Sequence, residues 1–571
     1  MEKKTQKFVL IMFLLGIFIG AMDTGIVSPA RGVISNGLGI STNTSIWIIT
    51  IYTLAYAVVM PISGKLSDKY GKKKLFMYSI IIFGIGSTLC GVSNFIGGFP
   101  LLIAARIIQA VGGGGIMPIA TAYIGDSFPQ EKRGSALGLV GATYGIATTL
   151  GPTIGSALLN FVGNENWGVL FFINVPICIA VVLMSLKIKE TESVFNDKKM
   201  DVKGSIVVSG MILSLMYALT NLQFHDFLNS IKSTSVYPFL LIFAVLIPLF
   251  IYLESKAEDP ILNLNYFKDR NIAITLMLSF IVGCGLMGIV FVPQFAENVL
   301  KIKVGSGGYL VTLMALFTGV ASPLGGKLID KYSAKLILLI GFASTAIGTL
   351  ILALGAAPNS SQVALYIGLA FMGLGMGFTM GTPLNYLMQS FVDRSETSSA
   401  QSTLSLVRSI GVAISPNILV NFVSQAGQDI PGKLMQVMPP IPGVEGGMSA
   451  LAGQGSLPAD ILNSLQNADV TTITDVLKNF SATMFDKAAP SIQAGLAGKL
   501  PPHTSAETVL NGMKDQYIGS VESIRTTLEN TFQQTMNSGF AKLFIAAAII
   551  AIVGFVLSMM LKNKKKEEIV K

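Results

Sequence analysis

The feature that most constrains this chain is an apolar stretch of about 20 residues, which recurs from its beginning to its end. A helix needs about 20 such residues to cross the hydrocarbon core of a bilayer. Fourteen stretches meet this requirement: Phe8–Ser28, Ser45–Gly64, Leu75–Ser93, Leu101–Ile124, Ser135–Leu158, Gly168–Leu186, Gly204–Leu222, Val236–Leu253, Ile272–Val292, Gly307–Gly326, Leu336–Ala356, Val363–Leu387, Ser402–Phe422 and Phe540–Leu561. Only 12% of the residues are charged, too few to solvate the surface of a globular domain. We therefore predict an all-α integral membrane protein with fourteen transmembrane helices.

The positive charge of the chain follows this topology. The formal net charge is +9, which by itself would also fit a nucleic-acid-binding protein. If the N-terminus is cytoplasmic and fourteen spans alternate, however, the inner segments hold 27 Lys and Arg residues and the short outer segments hold 4. Positive residues mark the cytoplasmic side of membrane proteins. The pattern predicts a multi-pass protein of the cell membrane with both termini in the cytoplasm, and no nucleic-acid partner.

Residues that could support catalysis or bind a metal are scarce in this sequence. Cys90, Cys178 and Cys284 all lie inside predicted spans, so neither a disulfide framework nor a CxxC metal site is expected. The two histidines, His225 and His503, have no metal-ligand neighbours. Because no aqueous segment carries a nucleophile–base pair, we expect neither an enzyme nor a cofactor.

Two similar stretches indicate that the chain contains duplicated halves. Gly64–Leu75 reads GKLSDKYGKKKL and Gly326–Ile337 reads GKLIDKYSAKLI, and each follows a predicted span. We expect two six-helix bundles around two extra spans, with a substrate path between the repeats, as in alternating-access transporters. The predicted units are a first bundle (residues 1–190), a linker pair (191–269), five helices of the second bundle (270–423), an outer segment (424–539), and the last helix with a basic tail (540–571).

The segment between the last two predicted spans is unusually long. The topology places residues 424–539 outside the cell, and a Pro/Gly-rich run, Met438–Gly447, lies near their start. Four apolar residues then recur at helical spacings of three and four: Leu457, Ile461, Leu462 and Leu465. A connection of this length is normally functional or has its own fold. We expect an extracellular helical insertion, with a disordered loop as the alternative.

The first of the two repeated stretches resembles the loop motif between the second and third spans of the major facilitator superfamily. The resemblance implies a major facilitator fold, in which Gly64 permits close helix approach and Asp68 makes a charge-relay contact that stabilises one access state. Gly71 and Lys72 belong to the same motif, and Asp330 to its second copy. A carboxylate among lysines at a helix end can form a latch that breaks as the halves rock. A solvated basic loop is the alternative.

Further stretches narrow the resemblance to the fourteen-span drug/proton antiporters of that superfamily. Each of them lies in or beside a different span: Asp23–Ala30, Trp47–Leu54, Arg106–Gly114, Asn166–Pro176 and Glu254–Leu262. The family usually has an arginine where Gly168 stands here. Four residues match the fifth-span motif that is associated with antiporters rather than symporters: Gly138, Gly151, Pro152 and Gly155. The resemblance also implies that Arg106 takes part in proton transfer.

One carboxylate lies clearly inside a predicted span, and it is Asp23. An ionisable group in the hydrocarbon is costly and usually marks a pathway. Asp23 lies 16 residues after Lys7, about 24 Å along a helix, and Arg106 should reach a similar depth. We therefore hypothesise that Asp23 takes up a proton from outside, that Arg106 tunes this step, and that the charge of Asp23 biases which side the cavity faces. The alternative is a static ion pair between two helices.

Polar and aromatic side chains inside or beside the spans are candidates for the cavity wall. They are Trp47, Tyr52, Gln109, Asn174, Gln294 and Arg408. Arg408 either lines the inner part of the cavity or extends to the interface. Met372, Met376 and Met380 could form an adaptable apolar pocket or face lipid.

These observations predict a proton-coupled secondary active exporter, a multidrug/proton antiporter for monovalent cationic or neutral amphiphilic compounds. Family members that expel divalent cations carry an extra acid in the tenth span, and Gly307–Gly326 has none. One alternative is an exporter of a specific endogenous lipid, peptide or envelope precursor, and another is a transport-inactive receptor or scaffold. We expect a monomer whose partners are small amphiphilic substrates, protons and membrane lipid.

Overall fold

The computed structural model describes residues 3–188, 200–286, 288–300, 307–439, 473–483 and 506–562 of the 571-residue chain. These residues form helices, turns and connections, with no β-strand among them. Thirteen of the helices in these ranges are long and apolar enough to cross a membrane. This number of apolar helices implies a multi-pass membrane protein.

The first half contains six long helices. They are α1 (Lys3–Leu38), α2 (Trp47–Tyr70), α3 (Lys72–Val92), α4 (Gly98–Ser127), α5 (Gln130–Val162) and α6 (Val169–Leu186). Two linker helices follow, α7 (Val202–Asn221) and α8 (Tyr237–Lys256). We call the end of the protein where α1 begins and α2 ends the amino-terminal face, and the opposite end the distal face.

The second half repeats this plan with two interrupted spans. Its helices are α9 (Arg270–Gly285), α10 (Gly288–Val299), α11 (Gly307–Lys331), α12 (Ala334–Ile351, continued by a π-helical turn over Leu352–Ala356), α13 (Gln362–Thr379), α14 (Thr382–Phe391), α15 (Thr397–Val437) and, after the outer segment, α18 (Arg525–Met560). Each of the fourteen predicted spans falls on one of these helices or pairs of helices.

The two interruptions have local causes. The predicted span Ile272–Val292 is divided where α9 ends at Gly285, in a stretch that also contains Gly283 and therefore has low helix propensity. The predicted span Val363–Leu387 is divided between α13 and α14, just before Pro383. A proline disfavours helical geometry in the residue before it and fits the first turn of a new helix.

The two halves meet along two seams that are related by the internal repeat. In one seam α2 packs against α15, and in the other α5 packs against α11. Glycines set the separation in both: a Cβ on Gly64 would lie 2.8 Å from the Ser398 carbonyl oxygen, and a Cβ on Gly138 would lie 2.8 Å from that of Ser322. Backbones this close leave room for hydrogen atoms only, so these glycines permit the helix crossings.

The linker helix α7 lies across the first seam. Val208, Ile212 and Met216 on α7 form one apolar cluster with Leu54 and other residues of α2 and with Leu406 of α15. Asn417 on α15 donates to the carbonyl oxygen of Leu219 at 2.8 Å. The linker pair is thus docked onto both halves at once.

Helices α15 and α18 extend well beyond the length of a membrane span. With 41 and 36 residues they are about 60 and 54 Å long, roughly twice the thickness of the hydrocarbon core. Their distal ends pack with a helix at 473–483 (α16) and with α17 (Ala506–Ser523). We call this assembly the distal body. The predicted helical residues Leu457, Ile461, Leu462 and Leu465 lie outside the described residues.

The distal body has an apolar core of its own. Its buried side chains come from all four helices: Ile430, Leu434, Ile473, Leu477, Phe480, Tyr517, Val521, Leu528 and Phe532. Ion pairs join Lys478 to Glu522 at 3.0 Å and Arg525 to Asp475 at 3.2 Å on its surface. The packed core supports a helical insertion and not an irregular loop in this part of the segment.

We expect Gly64→Val to open the amino-terminal face, because overpacking of a helix crossing typically costs about 1–3 kcal/mol. Cysteine-attached spin labels at the exposed positions Tyr70 and Tyr332 would report the separation of the two halves there. The distance distribution should shift to longer values. Gly427→Val on α15, which meets nothing within 4 Å, is the matched control and should leave the distribution unchanged. An unchanged distribution in Gly64→Val would contradict the assigned role of this crossing.

Candidate functional site

The carboxylate of Asp23 lies inside the first half and is fully buried. Arg106 Nη1 donates to Oδ2 at 2.8 Å, and the amide groups of Gln109 and Asn174 donate to Oδ1 at 2.8 and 3.0 Å. The donors come from α4 and α6, so three helices meet at this carboxylate. The predicted proximity of Asp23 and Arg106 is observed, and Gln109 and Asn174 belong to the shell of the acid.

Glycine contacts bring these helices close enough for the cluster to form. A Cβ on Gly86 of α3 would lie 2.7 Å from Gln109 Cβ, so α3 and α4 touch through their backbones. This close approach places Ser87, the residue after Gly86, in the polar cluster. Its hydroxyl accepts from Gln109 at 2.7 Å and from Asn174 at 3.2 Å. On the other side, a Cβ on Gly151 of α5 would lie 2.8 Å from the carbonyl oxygen of Met22. Because Met22 directly precedes Asp23, this contact between α1 and α5 also fixes the position of Asp23.

The guanidinium of Arg106 is held on several sides. Besides Asp23 it donates to the Gln109 side-chain oxygen at 2.6 Å and to the Ile48 carbonyl oxygen at 3.2 Å. Its carbon lies 4.1 Å from the centroid of the Tyr52 ring, a cation–π distance. In this arrangement the buried charge of Asp23 is compensated by one cation and two neutral amides. Protonation of Asp23 would leave the Arg106 charge buried without its partner.

A row of aromatic rings leads from Arg106 towards the second half. The Tyr52 and Tyr56 rings of α2 stack with centroids 5.7 Å apart. Tyr56 and Tyr144 of α5 lie within electrostatic range of Arg408 on α15. Arg408 itself is 4% exposed. The predicted cavity residue Arg408 is therefore buried, in a helix of the seam between the halves.

Two equivalent latches join the halves at the amino-terminal face. The carboxylate of Asp68 on α2 accepts from the backbone N–H groups of Ser398 and Ser399 at 3.0 and 2.7 Å, at the start of α15. The carboxylate of Asp330 on α11 accepts from the N–H groups of Gly134 and Ser135 of α5 at 2.8 and 2.9 Å. In each latch the acid follows the repeated Gly-Lys-Leu sequence and binds the fifth long helix of the opposite half.

Further polar contacts surround the Asp68 latch. Lys72 pairs with Asp126 at the end of α4 and donates to Thr397 at 2.6 Å. The preceding residue, Gly71, has φ = 101°, a conformation that side chains other than glycine rarely adopt, and this allows the sharp turn from α2 to α3.

The segment after α8 contributes to the same face. Asp259 forms an ion pair with Lys65 of α2, and Tyr266 donates to Glu396 at 2.9 Å. Burial, followed by the charge of Glu396, raises the pKa of Tyr266, so this phenol stays a donor. These contacts tie the linker to both halves.

The remaining predicted residues have more varied positions. Gly155 and Pro152 pack against α1, since a Cβ on Gly155 would lie 2.8 Å from the Ile26 carbonyl oxygen and the Pro152 ring lies against Gly25. Trp47 is 40% exposed, and its ring stacks on Tyr217 of the linker. Gln294 on α10 is exposed. Neither belongs to the buried site.

Sequence reasoning missed Ser87, Tyr56, Tyr144 and the serines that bind Asp68. Hydroxyl groups are too common in membrane helices to stand out, and their importance follows only from the helix crossings. The methionines Met372, Met376 and Met380 line a largely apolar cavity between α9, α12, α13 and α18, as the pocket interpretation of this stretch predicted.

Comparisons with known proteins agree with this architecture. A family model for the Major Facilitator Superfamily matches residues 13–416. The chain is 37% identical over 443 residues to the uncharacterized MFS-type transporter YfiU of Bacillus subtilis (strain 168), covering 76% of this chain and 83% of the relative. It is 34% identical over 419 residues to Multidrug resistance protein 3 of the same organism, covering 73% and 79%. The solved proton:xylose symporter XylE matches with a TM-score of 0.52 at 13% identity, over 76% of this chain and 91% of that chain, which shows a shared fold.

We expect Arg106→Leu to destabilise the protein by about 3–5 kcal/mol, because it leaves the buried carboxylate of Asp23 without its cation. Asp23→Asn should destabilise the protein less than Arg106→Leu does. The double variant Asp23→Asn/Arg106→Leu should be more stable than Arg106→Leu alone. Thermal unfolding of the purified variants in detergent gives this order directly. Arg525→Gln, at a side chain that is 40% exposed, is the control and should change little. Strictly additive effects of the two site substitutions would contradict a coupled pair.

Proposed function

The chain belongs to the major facilitator superfamily, and on this basis we propose that it is a secondary active exporter that moves amphiphilic compounds out of the cell in exchange for protons. In this proposal the chain spans the cell membrane fourteen times, α9 and α10 together form the ninth span, and both termini are cytoplasmic. It acts as a monomer and needs no cofactor, since the proton gradient supplies the driving force.

The observation that carries the proposal is the enclosed cluster around Asp23. A carboxylate buried among one cation and two amides is a two-state element: ionised, it holds α1, α4 and α6 together, and protonated, it releases the guanidinium of Arg106. A buried cation without a partner is unfavourable, so proton uptake at Asp23 favours a rearrangement of these helices. Because Arg106 also lies against Tyr52 on α2, the change reaches a helix of the seam between the halves.

The latches at the amino-terminal face supply the second element of the mechanism. With that face in the cytoplasm, the Asp68 and Asp330 contacts close the inner side and leave the structure in a state that exchanges with the outside. Opening inward requires both carboxylates to release the N–H groups of the opposite half. Alternating access then consists of breaking and remaking these two latches while the protonation of Asp23 changes.

The proposed substrates are neutral or monovalent cationic amphiphiles, of the kind that a multidrug exporter handles. One curated relative is named a multidrug resistance protein, which supports this class. The apolar, methionine-lined cavity in the second half offers a flexible surface for such compounds. Antibiotic efflux is the physiological role that this proposal implies.

Asp23→Asn should abolish proton-driven export, because the amide can neither take up nor release the coupled proton. Purified protein in liposomes with an imposed pH gradient, and a fluorescent amphiphile as substrate, would measure the initial rate of transport. We expect a loss of at least tenfold in driven transport while binding of the compound is retained.

Asp226→Asn is the matched control, because Asp226 lies in the exposed connection between α7 and α8. It should transport at the rate of the unmodified protein. Unimpaired gradient-driven transport by Asp23→Asn would refute the proposed coupling site.

The distal body favours a second candidate function. It stands on the extended ends of α15 and α18, and Gln533 of α18 donates to the carbonyl oxygen of Asn298 at the end of α10 at 3.1 Å. A folded body above the transport path could receive a specific endogenous lipid, peptide or envelope precursor. A receptor or scaffold without transport would also need this body.

Replacing residues 440–523 by a short Gly-Ser linker separates these functions. The remaining parts of α15 and α18 still pack together, since a Cβ on Gly539 would lie 3.1 Å from the Phe422 carbonyl oxygen, so the bundle should still fold. A drug exporter should keep at least half of its liposome transport rate, because its coupling site and latches are untouched. A loss of transport with unchanged thermal stability of the bundle would favour the second function, in which the distal body receives the exported molecule.

A further inference from the structure

The guanidinium of Arg408 combines deep burial with unpartnered donors. The residue is 4% exposed, and in the described part of the chain its Nε and Nη2 atoms have no hydrogen-bond partner. These two atoms share one edge of the planar guanidinium. They form the fork that binds the two oxygens of a carboxylate or phosphate.

No carboxylate in the described part of the chain forms an ion pair with Arg408. Among the described residues, three carboxylates are buried, and each is engaged elsewhere: Asp23 with Arg106, Asp259 with Lys65, and Glu254 with the Ile261 N–H group. The half-buried Asp68 accepts from the Ser398 and Ser399 N–H groups. A buried charge without a partner is unfavourable. An anionic group from outside the chain would supply the missing partner.

The position of Arg408 places this fork on the path between the halves. Its own backbone is pressed against α9, since a Cβ on Gly283 would collide with the Arg408 carbonyl oxygen. The side chain lies within electrostatic range of Tyr56 and Tyr144, which belong to the opposite half and are half-buried. The fork thus lies on a helix of the seam between the halves, and the Tyr56 ring stacks on Tyr52, which lies against Arg106.

We propose that Arg408 binds the oxyanion of the transported compound, a carboxylate or phosphate on an amphiphile, while Tyr56 and Tyr144 contact its apolar part. The inference rests on the proposed export function and changes the substrate class proposed there, from neutral or monocationic amphiphiles to amphiphiles that carry an oxyanion. Neutral and purely cationic amphiphiles lack the group that Arg408 requires, whereas an acid or a zwitterion supplies it.

Binding of three matched probes to the purified full-length protein in detergent tests the assignment. They are dansylated undecanoic acid, dansylated undecyl phosphate and the methyl ester of the acid. The unmodified protein should bind at least one of the two anions about tenfold or more tightly than the ester. In Arg408→Gln the preferred anion should bind roughly tenfold to a hundredfold more weakly, while the ester changes by less than about twofold. The favoured anion distinguishes a carboxylate substrate from one with a phosphate headgroup.

Arg408→Lys is the second variant, because it keeps the charge and removes the fork. It should retain part of the preference for the anion. Arg270→Gln, at the exposed start of α9, is the control and should keep all of it. Since Arg408 is unpaired, Arg408→Gln should not lower the melting temperature, whereas loss of a structural ion pair would.

Equal binding of the anions and the ester by the unmodified protein would overturn the inference, and this measurement needs no variant. An unchanged anion preference in Arg408→Gln would overturn it as well. Neither result affects the proposed proton coupling, which is measured by transport with Asp23→Asn. Conversely, a selective anion site without gradient-driven transport would reject the export function and leave the site standing.

Discussion

The ion pair between Asp23 and Arg106 is the constraint around which the first half is arranged. Two opposite charges can stay in an apolar interior only if each is fully compensated. Here the compensation draws on helices α1, α3, α4 and α6, through Gln109, Asn174 and Ser87. The same requirement explains the glycines nearby, because donors on different helices reach one carboxylate only if the backbones nearly touch.

Among its described residues, the second half has no such buried ion pair. Its buried charge is Arg408, with donors that no described side chain satisfies. The two halves are thus alike in helix packing and in their latches but different in their interior electrostatics. One half holds a charge that a proton can cancel, and the other presents a charge that a bound molecule can cancel. Tyr52 and Tyr56 lie between them, so the two events share one set of aromatic side chains.

Much of the fold could be predicted from hydrophobic length alone. Every predicted span is helical, and the repeated Gly-Lys-Leu sequence marks the seams where Gly64 and Gly326 lie. The interruptions at Gly285 and before Pro383 could not be placed, because glycine and proline are also tolerated in continuous spans. The pairing of Asp23 with Arg106 was foreseen from burial cost and depth.

The shell of the acid and the partners of Asp68 were not foreseen. The rotation of each helix about its own axis determines which serine or amide completes a polar cluster. A helix that is apolar on all sides gives little indication of that rotation. Trp47 is a case in which the sequence did not indicate the direction of a side chain. Its sequence position suggested a cavity residue, yet its ring stacks on the linker.

The docking of α7 over one seam makes the two seams unequal, because the linker helix covers the α2–α15 seam. Parting α2 from α15 would also strip Val208, Ile212 and Met216 from their apolar neighbours, and the Lys65–Asp259 pair stiffens the same edge. The α2–α15 edge is therefore held by a third helix as well as by its own contacts, whereas the α5–α11 edge is closed by direct backbone contacts at Gly138 and Gly326. A lipid-dissolved molecule that approaches from the side would meet the linker helix at the first edge and directly packed backbones at the second.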